Sequence, residues 1–62
     1  MANRVIYMIE EFTSEGDLVM RRFARNKKTA GKIAKTVDDG NEVSARKLQK
    51  SEMSWVNTKE VE

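Results

Sequence analysis

The sequence predicts a small α+β domain in which two strands, one helix and a third strand follow one another along 62 residues. Three observations lead to this prediction: a long run rich in β-branched and aromatic residues, a turn sequence followed by a second such run, and an apolar stripe at helical spacing. The expected architecture is ββαβ: a three-stranded antiparallel sheet of order 2-1-3 with one helix packed on one face. A chain of this length forms a single domain and buries only about 60% of its unfolded surface.

The first half of the chain predicts a β-hairpin over residues 4–25. Nothing between Arg4 and Thr13 breaks a strand. Turn-forming residues follow at Ser14–Asp17, where Gly16 can adopt a positive φ. Leu18 to Arg25 then reads as the second strand.

The first strand is apolar on both of its faces. The two faces carry Val5, Tyr7 and Ile9, and Ile6, Met8 and Phe12, respectively. A strand that is covered on one side only would alternate apolar with polar residues. We therefore expect this strand to be central in the sheet and covered on both sides.

Residues 27–39 are predicted to form one short amphipathic helix. Asn26 is a suitable N-cap, and Gly40 is a suitable C′ residue. The apolar residues at i, i+3, i+4 and i+7 form a stripe that would face the sheet. They are Ala30, Ile33, Ala34 and Val37.

The region after the helix, residues 42–50, is predicted as the third strand. Val43 and Ala45 would point inward, with Leu48 brought out of phase by a bulge. A helix is the alternative here, because Ala, Arg, Lys, Leu and Gln all have good helix propensity.

The C-terminal segment, residues 51–62, ends in a polar tail that is expected to fray. The second face of the sheet needs a cover, which Met53–Val56 would provide by folding under it. Another protein, or a second copy of the chain in a homodimer, could cover the same face. Trp55 would then be either part of the intramolecular core or an interface anchor, since Trp is common in both settings.

Positive charge is concentrated in one part of the chain. The fifteen residues from Arg21 to Lys35 contain seven bases and no acid, although the net charge of the whole chain is only +2. Such a cationic segment predicts an anionic partner. The residues expected to bind a partner or an anion are Arg21, Arg22, Arg25, Asn26, Lys27, Lys28, Lys32 and Lys35.

The charges on the predicted helix run against its dipole. Lys27 and Lys28 would lie in the first turn, with Asp38 and Asp39 in the last, whereas helix N-termini favour anions and C-termini favour cations. A bound phosphate or carboxylate would explain the arrangement. The alternative is a solvated lysine face together with charges that protect an edge strand from pairing.

The composition argues against catalysis. The chain has no Cys and no His, which excludes the common nucleophile–base pairs, disulfides and the usual zinc sites. No glycine-rich phosphate loop is present. We therefore expect a non-enzymatic protein without catalytic residues, metal or cofactor. Neither a signal peptide nor a membrane span is apparent, so a cytoplasmic protein is expected.

Two binding functions remain. The chain could occupy an acidic surface of a larger protein, or it could be a small nucleic-acid-binding protein whose basic face contacts phosphates. The pattern of RVIYMIEEF, a SEGD turn, MRRFARNKKTAGKIAK and a terminal SWVN resembles the very small accessory proteins of bacteriophages, of the host-takeover or anti-defence type. The resemblance implies a protein that binds and occludes a surface of a host protein or enzyme in the host cytoplasm.

Overall fold

The computed structural model describes residues 5–62 of the chain. It contains a three-stranded antiparallel sheet of order β2-β1-β3 and one α-helix. This confirms the predicted α+β fold class and the order of its strands. The elements are β1 (Tyr7–Phe12), β2 (Leu18–Ala24), α1 (Lys27–Ala34) and β3 (Glu42–Lys47), followed by 3-10 helices at Lys50–Trp55 and Thr58–Glu60.

The β1–β2 hairpin forms where the sequence predicts it. Its turn is closed by hydrogen bonds from Thr13 N–H to Asp17 O and from Gly16 N–H to Thr13 O, both 2.9 Å long. Gly16 has a φ of 91°, a conformation that side chains with a Cβ disfavour. The predicted first residue of the hairpin, Arg4, lies outside the described residues. The pairing shifts near the turn, where Val19 is the extra residue of a bulge in β2.

The central strand β1 is covered on both faces, as its sequence predicts. On the side of α1 the buried cluster consists of Ile9, Ala24, Ala30 and Ile33. On the opposite side it consists of Ile6, Met8, Leu48 and Val56.

Residues after β3 provide the cover on this second face. Met53 and Val61 pack against the buried cluster there, and Val61 forms a parallel bridge with Phe23 of β2. Glu62 N–H donates to Phe23 O at 2.9 Å, and Arg25 N–H donates to Glu62 O at 3.0 Å. The tail expected to fray is therefore held along β2, because it supplies both apolar side chains and partners for backbone groups at that edge.

Helix α1 is shorter than predicted, ending at Ala34 instead of residue 39. Beyond the helix the Asp38 N–H donates to the buried carboxylate of Glu11 at 3.2 Å. In a longer helix that N–H would instead bond to the carbonyl four residues earlier. Gly40 does have a positive φ of 89°, but it lies in the following turn and is not the C′ residue of the helix.

Strand β3 is also shorter than predicted, and its side chains are exposed. Val43 and Ala45 lie on the α1 side of the sheet but are exposed. Helix α1 packs mainly over the other two strands, since the strand residues buried against it are Ile9 of β1 and Ala24 of β2. The predicted bulge before Leu48 is wrong. The β1–β3 register is regular, and Leu48 is buried because strand alternation places it on the opposite face.

Candidate cationic interface

The three arginines of the cationic segment bind other parts of the chain. Arg21 lies opposite Glu10 in the sheet, and its Nε is 2.8 Å from Glu10 Oε2. Arg25 donates from Nη2 to the Val61 carbonyl oxygen at 3.1 Å. These two guanidinium groups therefore have partners within the fold.

Arg22 and the C-terminal residue Glu62 form the third such contact. Arg22 Nε is 2.6 Å from Glu62 Oε2, and a second hydrogen bond and an ion pair join Nη2 to Oε1. The hydrogen bond to Glu62 raises the pKa of Arg22, and the same hydrogen bond lowers the pKa of Glu62. Both groups keep their charges at neutral pH and compensate each other, so Arg22 adds little to an external cationic surface.

The four lysines of the segment behave differently. Within residues 5–62, none of them has a carboxylate within ion-pair distance. Lys28, Lys32 and Lys35 project within about 60° of one another at 100° per residue, and all three are exposed. They lie opposite the buried Ala30 and Ile33. We call Lys28, Lys32 and Lys35 the lysine face; Lys27, also exposed, lies to one side of it.

The observed end of α1 changes the electrostatic interpretation of the lysine face. Because the helix ends at Ala34, Lys32 lies in its last turn and Lys35 is the C-cap, where a cation is worth about 0.3–1 kcal/mol of stabilisation. The expectation that Asp38 and Asp39 oppose the dipole is wrong, because both lie outside the helix. The first turn still has an unfavourable charge, since it contains two lysines and no acid.

Asn26 serves the fold directly. Its Oδ1 accepts a hydrogen bond from Thr29 N–H at 2.8 Å, which confirms the predicted N-cap. One of the first-turn N–H groups that would bind an anion is thus already satisfied by the protein. The helix N-terminus therefore offers fewer free N–H groups to an anion than predicted. The lysine side chains are the main cationic feature of the segment.

Lys47 is a cation near the interface that sequence reasoning missed. A groove of about 220 Å³ between α1 and β3 is lined by Lys27, Gly31, Ala45 and Lys47, among others. Lys27 and Lys47 are twenty positions apart in sequence, and the register that places Lys47 opposite Tyr7 brings it to the start of the helix. Only the pairing of β3 with β1 could have indicated this.

The aromatic residues offer no open stacking platform in the part of the chain described. Tyr7 and Phe23 are half-buried and pack against the two core clusters. The side chain of Trp55 lies outside the described part, so its assignment to the core or to an interface stays a prediction.

Residues 5–62 contain no group of three or more side chains arranged to hold a metal ion. Within the same range, no helix has the length and apolar character needed to cross a membrane.

Comparisons with protein-family models, with curated proteins and with solved structures found no match. The candidate interface is therefore inferred from the residues of this chain alone.

Proposed function

We propose that this protein is a non-enzymatic binding protein that occludes an acidic surface of a larger protein through its lysine face. The observation that carries the proposal is the division of the cationic segment. Its arginines are engaged within the fold, whereas Lys28, Lys32 and Lys35 are exposed and lack carboxylate partners among residues 5–62. Three cations on one side of a helix match an acidic surface by charge.

The size of the protein is compatible with this role. A standard protein–protein interface buries about 800 Å² on each partner. The accessible surface here is 4816 Å², so such an interface would use roughly one sixth of it. The resemblance to small phage accessory proteins adds that the partner is a host protein in the cytoplasm.

Nucleic-acid binding through the same face is the second candidate. Lysines contact phosphates without reading sequence, and sequence-specific binding would require exposed stacking or base-reading groups. Asn26 is engaged as an N-cap, and Tyr7 and Phe23 are half-buried. This candidate is therefore phosphate binding without sequence preference, and it is favoured only by the charge of the lysine face.

A matched pair of charge-reversal variants tests the lysine face. Lys28→Glu with Lys32→Glu changes the net charge from +2 to −2. The control, Lys50→Glu with Lys59→Glu, makes the same change in net charge on the 3-10 helices, which follow β3 and are not part of α1. Thermal unfolding should be similar for both, since Lys28→Glu relieves one unfavourable helix charge and Lys32→Glu creates another.

The assay is capture from a bacterial lysate on each immobilised variant, with and without nuclease. The proposal predicts a protein that the wild type and the control retain after nuclease treatment, and that the Lys28/Lys32 variant loses. If nuclease removes all captured material, and binding to duplex DNA falls steeply between about 50 and 200 mM salt, the nucleic-acid candidate replaces it. If the Lys28/Lys32 variant captures the same material as the wild type, the lysine face is only a solvated surface.

A further inference from the structure

Among residues 5–62, strand β3 leaves a row of backbone groups unpaired at the edge of the sheet. Leu48 N–H donates to Ile6 O at 2.8 Å, and hydrogen-bonded pairs in an antiparallel ladder recur at every second residue. Val43, Ala45 and Lys47 therefore direct their N–H and C=O groups away from β1. Within residues 5–62 no other segment pairs with these groups.

The opposite edge of the sheet is protected in two ways. At β2, the Phe23 carbonyl and the Arg25 N–H are bound by Glu62, and a bulge interrupts the strand near Val19. Strand β3 has neither device: its register with β1 is regular over all six residues, and it contains no proline. An edge strand with open backbone groups can pair with another strand, and the charged side chains of β3 then allow only a register that brings opposite charges together.

We propose that β3 pairs antiparallel with β3 of a second copy of this chain, centred on Ser44, to form a symmetric dimer. The two-fold axis is perpendicular to the sheet, which is the symmetry that places two identical edges side by side in opposite directions. This axis keeps both α1 helices on the same side of a continuous six-stranded sheet, of order 2-1-3-3-1-2. The inference is independent of the partner proposed for the lysine face.

The charges of β3 select this register. The strand has an acid at its start, Glu42, and bases at its end, Arg46 and Lys47. Centring on Ser44 places Glu42 of each copy opposite Arg46 of the other, on the face away from α1. A shift by one pair in either direction places Glu42 opposite Leu48 or Ser44 and leaves these charges without opposite partners. Opposite charges directly across from each other stabilise a strand pair.

Arg46 can bind Glu42 of the second copy although it already binds Glu52. Its two Nη atoms contact the Glu52 carboxylate oxygens at 2.9 and 2.8 Å. A guanidinium group carries five N–H donors, and the Nε–H is not used in that contact. Glu42 is exposed, and no salt bridge engages it within residues 5–62.

The apolar side chains of β3 support the same pairing. Val43 is 42% exposed, and in this register it lies opposite Ala45 of the second copy on the α1 side. Domains below about 70 residues commonly need a disulfide, a metal or oligomerisation for adequate stability. A chain without Cys cannot form a disulfide. Pairing at β3 would stabilise the domain by oligomerisation instead.

Sedimentation equilibrium of the full chain from 5 µM to 1 mM tests the dimer, which should bring the mass from 7.1 kDa to twice that value. Glu42→Arg brings two arginines opposite each other at two symmetric positions and should raise the dimer Kd about tenfold. Arg46→Glu should weaken the dimer at least as much, since it also removes the Arg46 contact with Glu52. The double variant E42R/R46E should dimerise more tightly than either single variant, because opposite charges again face each other across the interface.

A proline pair tests the backbone contacts separately. Ala45→Pro removes an outward N–H and should leave a folded monomer, since proline is tolerated where a strand N–H faces solvent. Ser44→Pro removes an N–H that pairs with β1 and should destabilise the fold itself. A wild-type mass of 7.1 kDa at 1 mM overturns the proposal. So does an Ala45→Pro or Glu42→Arg variant that dimerises as tightly as the wild type. The Glu42→Arg result decides the matter if Ala45→Pro fails to fold.

Discussion

Removal of the Glu11 carboxylate should destabilise this protein more than its position in a strand suggests. Glu11 is 6% exposed and accepts hydrogen bonds from Asp38 N–H at 3.2 Å and from Asn41 Nδ2 at 2.7 Å. It therefore ties the loop between α1 and β3 to the central strand. In Glu11→Ala both donors lose their partner.

The magnitude follows from the two bonds. Hydrogen bonds to a charged group are worth about 1.5–3 kcal/mol each. Because the longer bond is weaker and water can reach part of the loop, we expect Glu11→Ala to lower the free energy of unfolding by roughly 2–4 kcal/mol. A domain of this size has a total stability of roughly 3–9 kcal/mol, so the variant should be close to unfolding.

Glu10→Ala is the matched control, since Glu10 is the neighbouring acid on the same strand and its partner is the exposed Arg21. An ion pair of this kind is worth about 0–1 kcal/mol. The assay is urea unfolding at pH 7 followed by circular dichroism, with Glu11→Gln as an intermediate case that keeps one acceptor. If Glu11→Ala lowers the free energy of unfolding no more than Glu10→Ala does, the Glu11 carboxylate does not hold the loop between α1 and β3 in place.

Two further predictions concern stability. Gly31→Ala should raise the free energy of unfolding by about 1 kcal/mol, because an added Cβ meets no atom within 4 Å apart from its chain neighbours and the backbone of its own helix. Gly40→Ala, at a φ of +89°, should lower the free energy of unfolding in the same thermal scan. Hydrogen bonding to Arg46 lowers the pKa of Glu52 from 4.5 to about 2. The stabilisation from that contact is therefore complete above pH 4.5 and lost as the pH falls toward 2. Glu52→Gln should consequently show a smaller loss of urea midpoint between about pH 5 and pH 2 than the wild type, and an equal loss would contradict the assignment.

The features that follow from local pattern are the ones the sequence predicts well. The hairpin, its Gly16 turn and the Asn26 cap depend on residues close together in the chain. The central position of β1 is also predicted correctly, because side chains that are apolar on both faces of a strand require cover on both sides.

The errors arise where a distant residue competes with local preference. The apolar stripe continues to Val37, but the helix ends at Ala34, where Thr36 N–H and Oγ1–H both donate to the Ile33 carbonyl oxygen. Beyond that end, Glu11 binds the Asp38 N–H from a distant strand. Leu48 is read as out of phase when only the α1 side of the sheet is considered, yet it belongs to the core on the other side. The polar tail contains few apolar residues, and its order depends on edge groups of β2 that the sequence does not display.

For the candidate interface, the concentration of positive charge between Arg21 and Lys35 is already evident from the sequence, because charge is a property of residue type. The tertiary structure is needed to show which of these charges lie beside an opposite charge, since arginines and lysines alike reach the surface. Arg21 and Arg22 meet Glu10 and Glu62, from positions 11 and 40 residues away, whereas the lysines of α1 meet no carboxylate within residues 5–62. The physical reason is that ion pairing depends on distance in space, and for this chain the strand register and the docking of the tail set those distances.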